Sequence, residues 1–467
     1  MIEHWVGLIN SYLWGDVLIY LLTGCGIWFT VRLKALQLFK FGHMFALLRN
    51  SRQESSQGIS SFQALCTSLA ARVGTGNLMG VAVAISLGGA GAVFWMWVIA
   101  FVGMATAFAE SALGQLYKER NEQGQFRGGP AYYMRKGLNS KFLAVTFSLC
   151  LFFGYGFVFS SVQANSITDA FHGSFGIQPI YTGIIITLLA GIIIFGGLRK
   201  IARFAELTVP FMGVTYFVVC LVVIVINIQA IPAIIQDIVF SALGLKEAAG
   251  GVVGAAIVQG VKRGLYSNEA GMGSAPNVAA AATPNPNHPA SQGFIQMIAV
   301  FFDTIVICSC TAFLILLSPQ ITGEIQGIQL TQQAMAAQVG EWGSIFISLA
   351  IMLFAFTSIV ANFAYADTNL KYLNLDGKAG HLFLRVGFLA MLLFGSVATL
   401  PQVIALADLS TGLMTVVNVT ALFLLSKVVI NIARDYQTQQ AAGKTPEYSV
   451  SRSEQEKLGL TPGIWDK

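Results

Sequence analysis

Two apolar stretches of this chain are interrupted near their middles by glycine and short polar residues. Gly74-Thr75-Gly76-Asn77 breaks the run from Ala64 to Leu87, and Ser267-Asn268-Glu269-Ala270-Gly271-Met272-Gly273 breaks the run from Gly251 to Ala282. If the first helix unwinds at Gly74-Thr75-Gly76, the half-helix beginning near Asn77 presents free N–H groups and the positive end of its dipole, a cradle for a carboxylate. The preceding half-helix ends in unpaired carbonyls near Ala70 to Val73, which suit a cation such as Na⁺ or an ammonium group. One interruption therefore offers both poles that a zwitterion needs. The second offers the same groups in reverse orientation and adds Ser267, Asn268 and Glu269.

Other polar residues in apolar surroundings have two readings. Arg72, Lys262, Arg263, Glu269, Glu110 and Asp303 nearly cancel in charge. They can pair with one another, form a gate, or face a ligand. Thr357 and Ser358 can bond back to carbonyls one turn earlier, or turn their hydroxyls toward the first break and form an oxygen site for Na⁺. Gln163 alone reads as a hydrogen-bonding link between helices. Gly80, Gly88, Gly91, Gly103 and Gly114 read as close-packing positions.

The elements that hold these residues must cross a membrane. Hydrophobic residues make up 55% and charged residues 10% of 467, with mean hydropathy +0.68, whereas soluble domains carry about 25% charged residues. Taking roughly 20 apolar residues per crossing, eleven spans are expected near 12–31, 62–88, 92–117, 142–170, 179–198, 205–228, 251–283, 291–318, 343–370, 382–399 and 402–428. The start lacks the basic region of a cleaved signal, so the first span is expected to stay in the mature chain. Lysine and arginine collect in alternate loops, while the opposite loops hold one base, Lys246. Cytoplasmic loops retain such bases, which puts the N-terminus outside and the C-terminus in the cytoplasm. The six cysteines fall inside apolar runs and show neither a disulfide framework nor a metal framework.

Segment 229–250 is too polar to span and reads as an interfacial helix between two sets of five spans. An odd count per set inverts the second relative to the first, the inverted-repeat plan of secondary transporters. The divisions expected are 1–61 (an extra helix and a cytoplasmic loop), 62–228 and 251–433 (the repeats), and 434–467 (a cytoplasmic tail). Weak internal symmetry agrees: Arg72 stands five residues before Asn77, Arg263 five before Asn268, and each following span carries one acid, Glu110 or Asp303.

Four blocks carry a family resemblance. Gly88-Gly89-Ala90-Gly91-Ala92-Val93-Phe94-Trp95-Met96-Trp97 resembles the diagnostic run of the alanine or glycine:cation symporters, bacterial and archaeal amino-acid transporters. Ala71-Arg72-Val73-Gly74-Thr75-Gly76-Asn77, Gly128-Gly129-Pro130-Ala131-Tyr132-Tyr133-Met134 and the run Ser267 to Pro276 are similar to its other blocks. The resemblance implies an all-α LeuT-type fold, one extra helix before two inverted five-helix repeats. It also implies Na⁺-driven uptake of a small neutral amino acid across the bacterial inner membrane. Carried over by residue, it places substrate at Thr75, Gly76, Asn77, Gln163, Gly271 and Met272; Ser267, Asn268 and Ser358 join them as candidates from their own polarity beside the breaks. It places the ion at the carbonyls of Ala70, Val73 and Phe354 and the hydroxyls of Thr357 and Ser358. Many members follow the hydroxyl pair with Gly-Trp, whereas this chain has Ala361-Asn362. Asn362 leaves more room and adds an amide, so a longer or more polar substrate such as glutamine is expected beside alanine, glycine and serine.

Enzymatic chemistry is not expected: five histidines stand without a neighbouring nucleophile, and there is no phosphate-binding Gly-Lys loop. A channel lined by the breaks and a proton-coupled symporter using Glu110, Glu269 or Asp303 both remain open to the residues alone.

Overall fold

The computed structural model describes residues 2–53, 58–194, 197–245, 250–318 and 327–466. Lys246, used above in assigning loops, lies outside them. The described chain is a bundle of helices with two short strand pairs.

Among the described residues, eight helices are long and apolar enough to cross a membrane, and the bent pair Ser61–Arg72 and Gly76–Gly88, at 51° to each other, makes a ninth when counted as one span. The other two stretches expected to span are helical but do not pass that test of length and composition. Pro179–Ile194 is 16 residues long, and the stretch near 251–283 consists of Gly250–Asn268 and Ala275–Ala281. Length and composition thus give a multi-pass membrane protein whose helix count falls short of eleven.

The first broken helix starts at a capping box: Ser60 Oγ accepts from Gln63 N at 3.1 Å, and Gln63 Oε1 accepts from Ser60 N at 3.1 Å. It stops at Val73, whose ψ of 86° leaves the helical region, and resumes through a widened π turn at Gly76–Gly80. The second break uses left-handed backbone instead, with φ of 55° at Glu269, 95° at Gly271 and 82° at Gly273. Pro276 then opens Ala275–Ala281, where a missing N–H costs nothing.

Ile59 and Ser60, which lead into the first broken helix, pair with Ala282 and Thr283, which leave the second. The start of one broken helix therefore lies beside the end of the other. Around them, Gly91–Leu116 has 72% of its apolar window buried, against 28% for Lys200–Ile226. The former is an inner helix, hydrophobic all round because it is surrounded by protein. The latter turns most of its surface outward.

The linker expected at 229–250 contains a helix, Ile231–Ala242, packed so closely on Gly91 that an added Cβ there would lie 2.7 Å from the Ala242 nitrogen. The C-terminal segment folds back on the bundle. Trp465 Nε1 donates to the Leu116 carbonyl at 3.0 Å, Tyr448 N to the Asn287 carbonyl at 3.0 Å, and Lys136 Nζ to Thr461 Oγ1 at 2.7 Å.

Candidate functional site

At the first break the freed backbone is held by side chains. Gly74 N donates to Asn77 Oδ1 at 3.0 Å, and Thr75 N donates to Gln163 Oε1 at 3.2 Å. Thr75 Oγ1 lies 3.4 Å from Tyr266 Oη on the second broken helix. Gly74 has no room for a side chain, since an added Cβ would sit 2.4 Å from Ser358 Oγ and 2.9 Å from Gln163 Oε1. The two N–H groups freed by the break are thus engaged by the amide oxygens of Asn77 and Gln163.

Immediately before the break stands a cluster of oxygens. Ser358 Oγ donates to the Ala70 carbonyl at 2.8 Å and approaches the Phe354 carbonyl at 3.0 Å. Thr357 Oγ1 donates to the same Phe354 carbonyl at 2.8 Å. Two carbonyls and two hydroxyls, all of buried residues, share one small volume at the end of the half-helix Ser61–Arg72. Each hydroxyl can turn its hydrogen away and offer a lone pair, so the set fits a hard cation such as Na⁺. Val73 is buried beside it, and its side chain also lines an apolar cleft with Leu69, Val209 and Phe302.

At the second break Asn268 Oδ1 accepts from Ala270 N at 3.0 Å, repeating what Asn77 does in the first. Glu269 Oε2 accepts from Ser274 Oγ at 2.5 Å. Gly271 faces Thr106, Leu22 and Val419, and its carbonyl accepts from Asn418 Nδ2 at 3.0 Å. Ser267 Oγ receives a hydrogen bond from Asn77 at 3.2 Å and donates to Asp303 Oδ2 at 2.6 Å.

A cavity between the breaks is lined by Ala71, Arg72 and Gly76 of the first, by Tyr266, Glu269 and Met272 of the second, and by Tyr155, Phe159, Gln163 and Asn362. Of the expected substrate residues, Gly76, Gln163, Met272 and Asn362 line it directly. Thr75, Asn77, Ser267 and Ser358 are not in that lining: Thr75 N is bonded to Gln163 within it, Ser358 to the Ala70 carbonyl, and Asn77 and Ser267 to each other. Asn268 and Gly271 are not among its walls. Three side chains in the lining have donors without a hydrogen-bond partner: Asn362 at Nδ2, Tyr155 at its hydroxyl, and Arg72 at all three nitrogens.

Tyr155, Phe159 and Tyr266 escaped the sequence reading. The first two were legible in principle, because 155, 159 and 163 lie four residues apart on one face of a helix whose last member is Gln163. The other embedded charges divide by place. Arg263 meets both oxygens of Asp408 at 2.7 and 2.8 Å, with Lys262 at 3.6 Å, away from the cavity walls.

The profile of the sodium:alanine symporter family matches residues 1–450. The chain belongs to that family. It is 48% identical over 450 residues to the probable sodium/glutamine symporter GlnT of Bacillus subtilis (strain 168), covering 96% of this chain and 93% of that one. It is 38% identical to the sodium/alanine symporter AgcS of Methanococcus maripaludis, covering 91% and 95%. Among solved structures, MhsT in complex with L-phenylalanine superposes with a TM-score of 0.56 at 12% identity, covering 88% of this chain and 95% of that one. That likeness shows the LeuT-type fold.

Proposed function

We propose that this family member carries a small neutral amino acid (alanine, glycine, serine or glutamine) into the cell together with Na⁺, by alternating access. The observation that carries the reading is the ion cluster of Ala70, Phe354, Thr357 and Ser358, one turn from Gly74 and Gln163. Na⁺ bound there draws the Ala70 and Val73 carbonyls toward the ninth expected span and fixes the first break. The fixed break presents Thr75 and Gly76 to the substrate's carboxylate, so each ligand raises the other's affinity, a coupling that is reciprocal. One repeat then rocks against the other, and loss of Na⁺ to a low-sodium cytoplasm releases the amino acid.

This reading includes eleven crossings, with Pro179–Ile194 and the second broken helix as the two that length and composition together do not count. It also includes repeats at 62–228 and 251–433, a preceding extra helix and loop over 1–61, the linker 229–250, and the tail 434–467 on the cytoplasmic side. The N-terminus is outside the inner membrane of a bacterial cell. Glutamine is included for two reasons: a relative bears that name, and the unsatisfied Asn362 amide faces the cavity. Free space in the cavity is about 10 Å3, near one water, so side chains such as Met272 and Phe159 must shift to admit any of these substrates.

Uptake of an amino-acid panel into proteoliposomes tests the reading, with sodium and pH gradients imposed separately. Saturable uptake that requires the sodium gradient is expected. Uptake driven by the pH gradient alone assigns the coupling to protons, as in the name of another relative, a putative sodium/proton-dependent alanine carrier of Bacillus subtilis. In Asn362→Trp, glutamine uptake is expected to disappear while alanine uptake persists, and equal loss of both would remove Asn362 from the choice of substrate.

A further inference from the structure

Two fully buried acids sit on the helices that follow the broken ones, Glu110 on Gly91–Leu116 and Asp303 in the widened turn Phe301–Cys308. Each reaches across to the break of the opposite repeat. Glu110 Oε2 accepts from Gly273 N at 3.1 Å, inside the second break, and from Asn418 Nδ2 at 3.0 Å. That same Asn418 nitrogen donates to the Gly271 carbonyl at 3.0 Å, so the acid and the amide hold the second break at two points. Asp303 Oδ1 accepts from Asn77 Nδ2 at 2.8 Å, and its own carbonyl accepts from the same nitrogen at 3.0 Å. Asn77 in turn receives Gly74 N through Oδ1, which extends the chain from Asp303 to the unwound backbone. Asp303 Oδ2 also takes Ser267 Oγ, at the end of the second broken helix, at 2.6 Å.

Resting on the symport reading above, we propose that Glu110 and Asp303 are positioning residues for the two breaks: Glu110 braces the second break from the opposite repeat, and Asp303 ties the first break, through Asn77, to Ser267 at the start of the second. A buried carboxylate accepting hydrogen bonds makes strong, short contacts, and removing it leaves its donors unpaired in a dry interior. The two acids nevertheless control different ligands. Asp303 acts through Asn77 on the break that begins at the ion cluster, so it sets the affinity for both Na⁺ and amino acid. Glu110 acts on the second break, which contributes only to the amino-acid cavity.

The test is kinetic, on full-length protein in proteoliposomes, with variants Asp303→Asn and Glu110→Gln. Asp303→Asn is expected to raise the amino-acid KM and the half-saturating Na⁺ concentration, each by about tenfold. Glu110→Gln is expected to raise the amino-acid KM by a similar factor and to leave half-saturating Na⁺ unchanged when measured at saturating amino acid. Asn418→Ala, which removes Glu110's amide partner, should reproduce the Glu110→Gln pattern and add little to it in the double variant. It stands in for Glu110→Gln if that protein does not reach the membrane, and Asp303→Ser does the same for Asp303→Asn. Lower maximal rates with both constants unchanged would overturn the proposal, as would identical effects of the two acids on Na⁺. Absence of sodium-dependent uptake in the unmutated protein would instead overturn the symport reading on which it rests.

Discussion

The two broken helices reach the same cavity by different physics. The first unwinds with no positive φ. Its glycines are required by close approach, since Gly74 lies against Ser358 and Gln163 and an added Cβ at Gly76 would be 2.9 Å from the Ser267 Cα. The second is shaped by three left-handed residues, Glu269, Gly271 and Gly273, and is packed against aromatic and aliphatic side chains. A break defined by its contacts can respond when a contact is replaced by an ion or a carboxylate. A break shaped by left-handed backbone, and held from outside by Glu110 and Asn418, serves as the opposing wall. The first is therefore the responsive half of the site and the second its frame.

The sharpest way to break this comparison is to fill the two glycines. Gly74→Ala places a methyl group into the ion cluster and the Gln163 contact, so sodium-dependent uptake should fall by about a hundredfold while the protein remains folded, because the obstructing atoms belong to side chains that can shift. Uptake assays beside thermal melting in detergent check both parts. Gly273→Ala should do the reverse. Its φ of 82° disfavours any side chain, and the new Cβ would meet Phe147 at 2.7 Å and Asn418 at 2.9 Å. We expect a stability loss of about 2–4 kcal/mol, read as a lower melting temperature. If Gly273→Ala folds normally and Gly74→Ala does not, the roles of the two breaks are exchanged.

A milder change sharpens the first half alone. Ser358→Ala removes the hydroxyl shared by the Ala70 and Phe354 carbonyls. Half-saturating Na⁺ should rise by about tenfold with little change in melting temperature, as measured by uptake over a sodium series.

The smallest expected effect lies outside the bilayer, where the tail docks. His288 Nδ1 accepts from Ala290 N at 3.0 Å and Nε2 meets Asp435 Oδ2 at 3.0 Å, an arrangement that suits the neutral ring. Burial pushes its pKa down to about 4, against the opposing pull of the Asp435 carboxylate. An undocked histidine binds its proton near pH 6.5, so between that pH and about 4 the undocked state takes up more protons. Docking is favoured at neutral pH and weakened as pH falls through that window. Faster hydrogen exchange in 426–467 at pH 5 than at pH 8, after correction for intrinsic rates, is the expected result.

Much of this was legible in the sequence. The glycine and amide residues of both breaks, and the hydroxyl pair at 357 and 358, stood out because polar groups are costly in an apolar run. The reach of Glu110 to Gly273 and of Asp303 to Asn77 was not legible, because it depends on which helices cross at mid-depth and not on spacing along either one. The widened turns at 154–158 and 301–308 were also hidden, since an extra residue in a helical turn leaves the apolar pattern intact. Nor did the tail's composition announce its docking, which rests on a few anchors such as Trp465 and Tyr448.

Equilibrium binding of labelled alanine and glutamine to purified protein, in sodium and in potassium at equal ionic strength, tests the central claim most directly. If the first break is fixed by an ion beside Ser358, both amino acids should bind in sodium, and alanine affinity should drop by at least about tenfold in potassium. Equal affinity in the two salts would contradict the account.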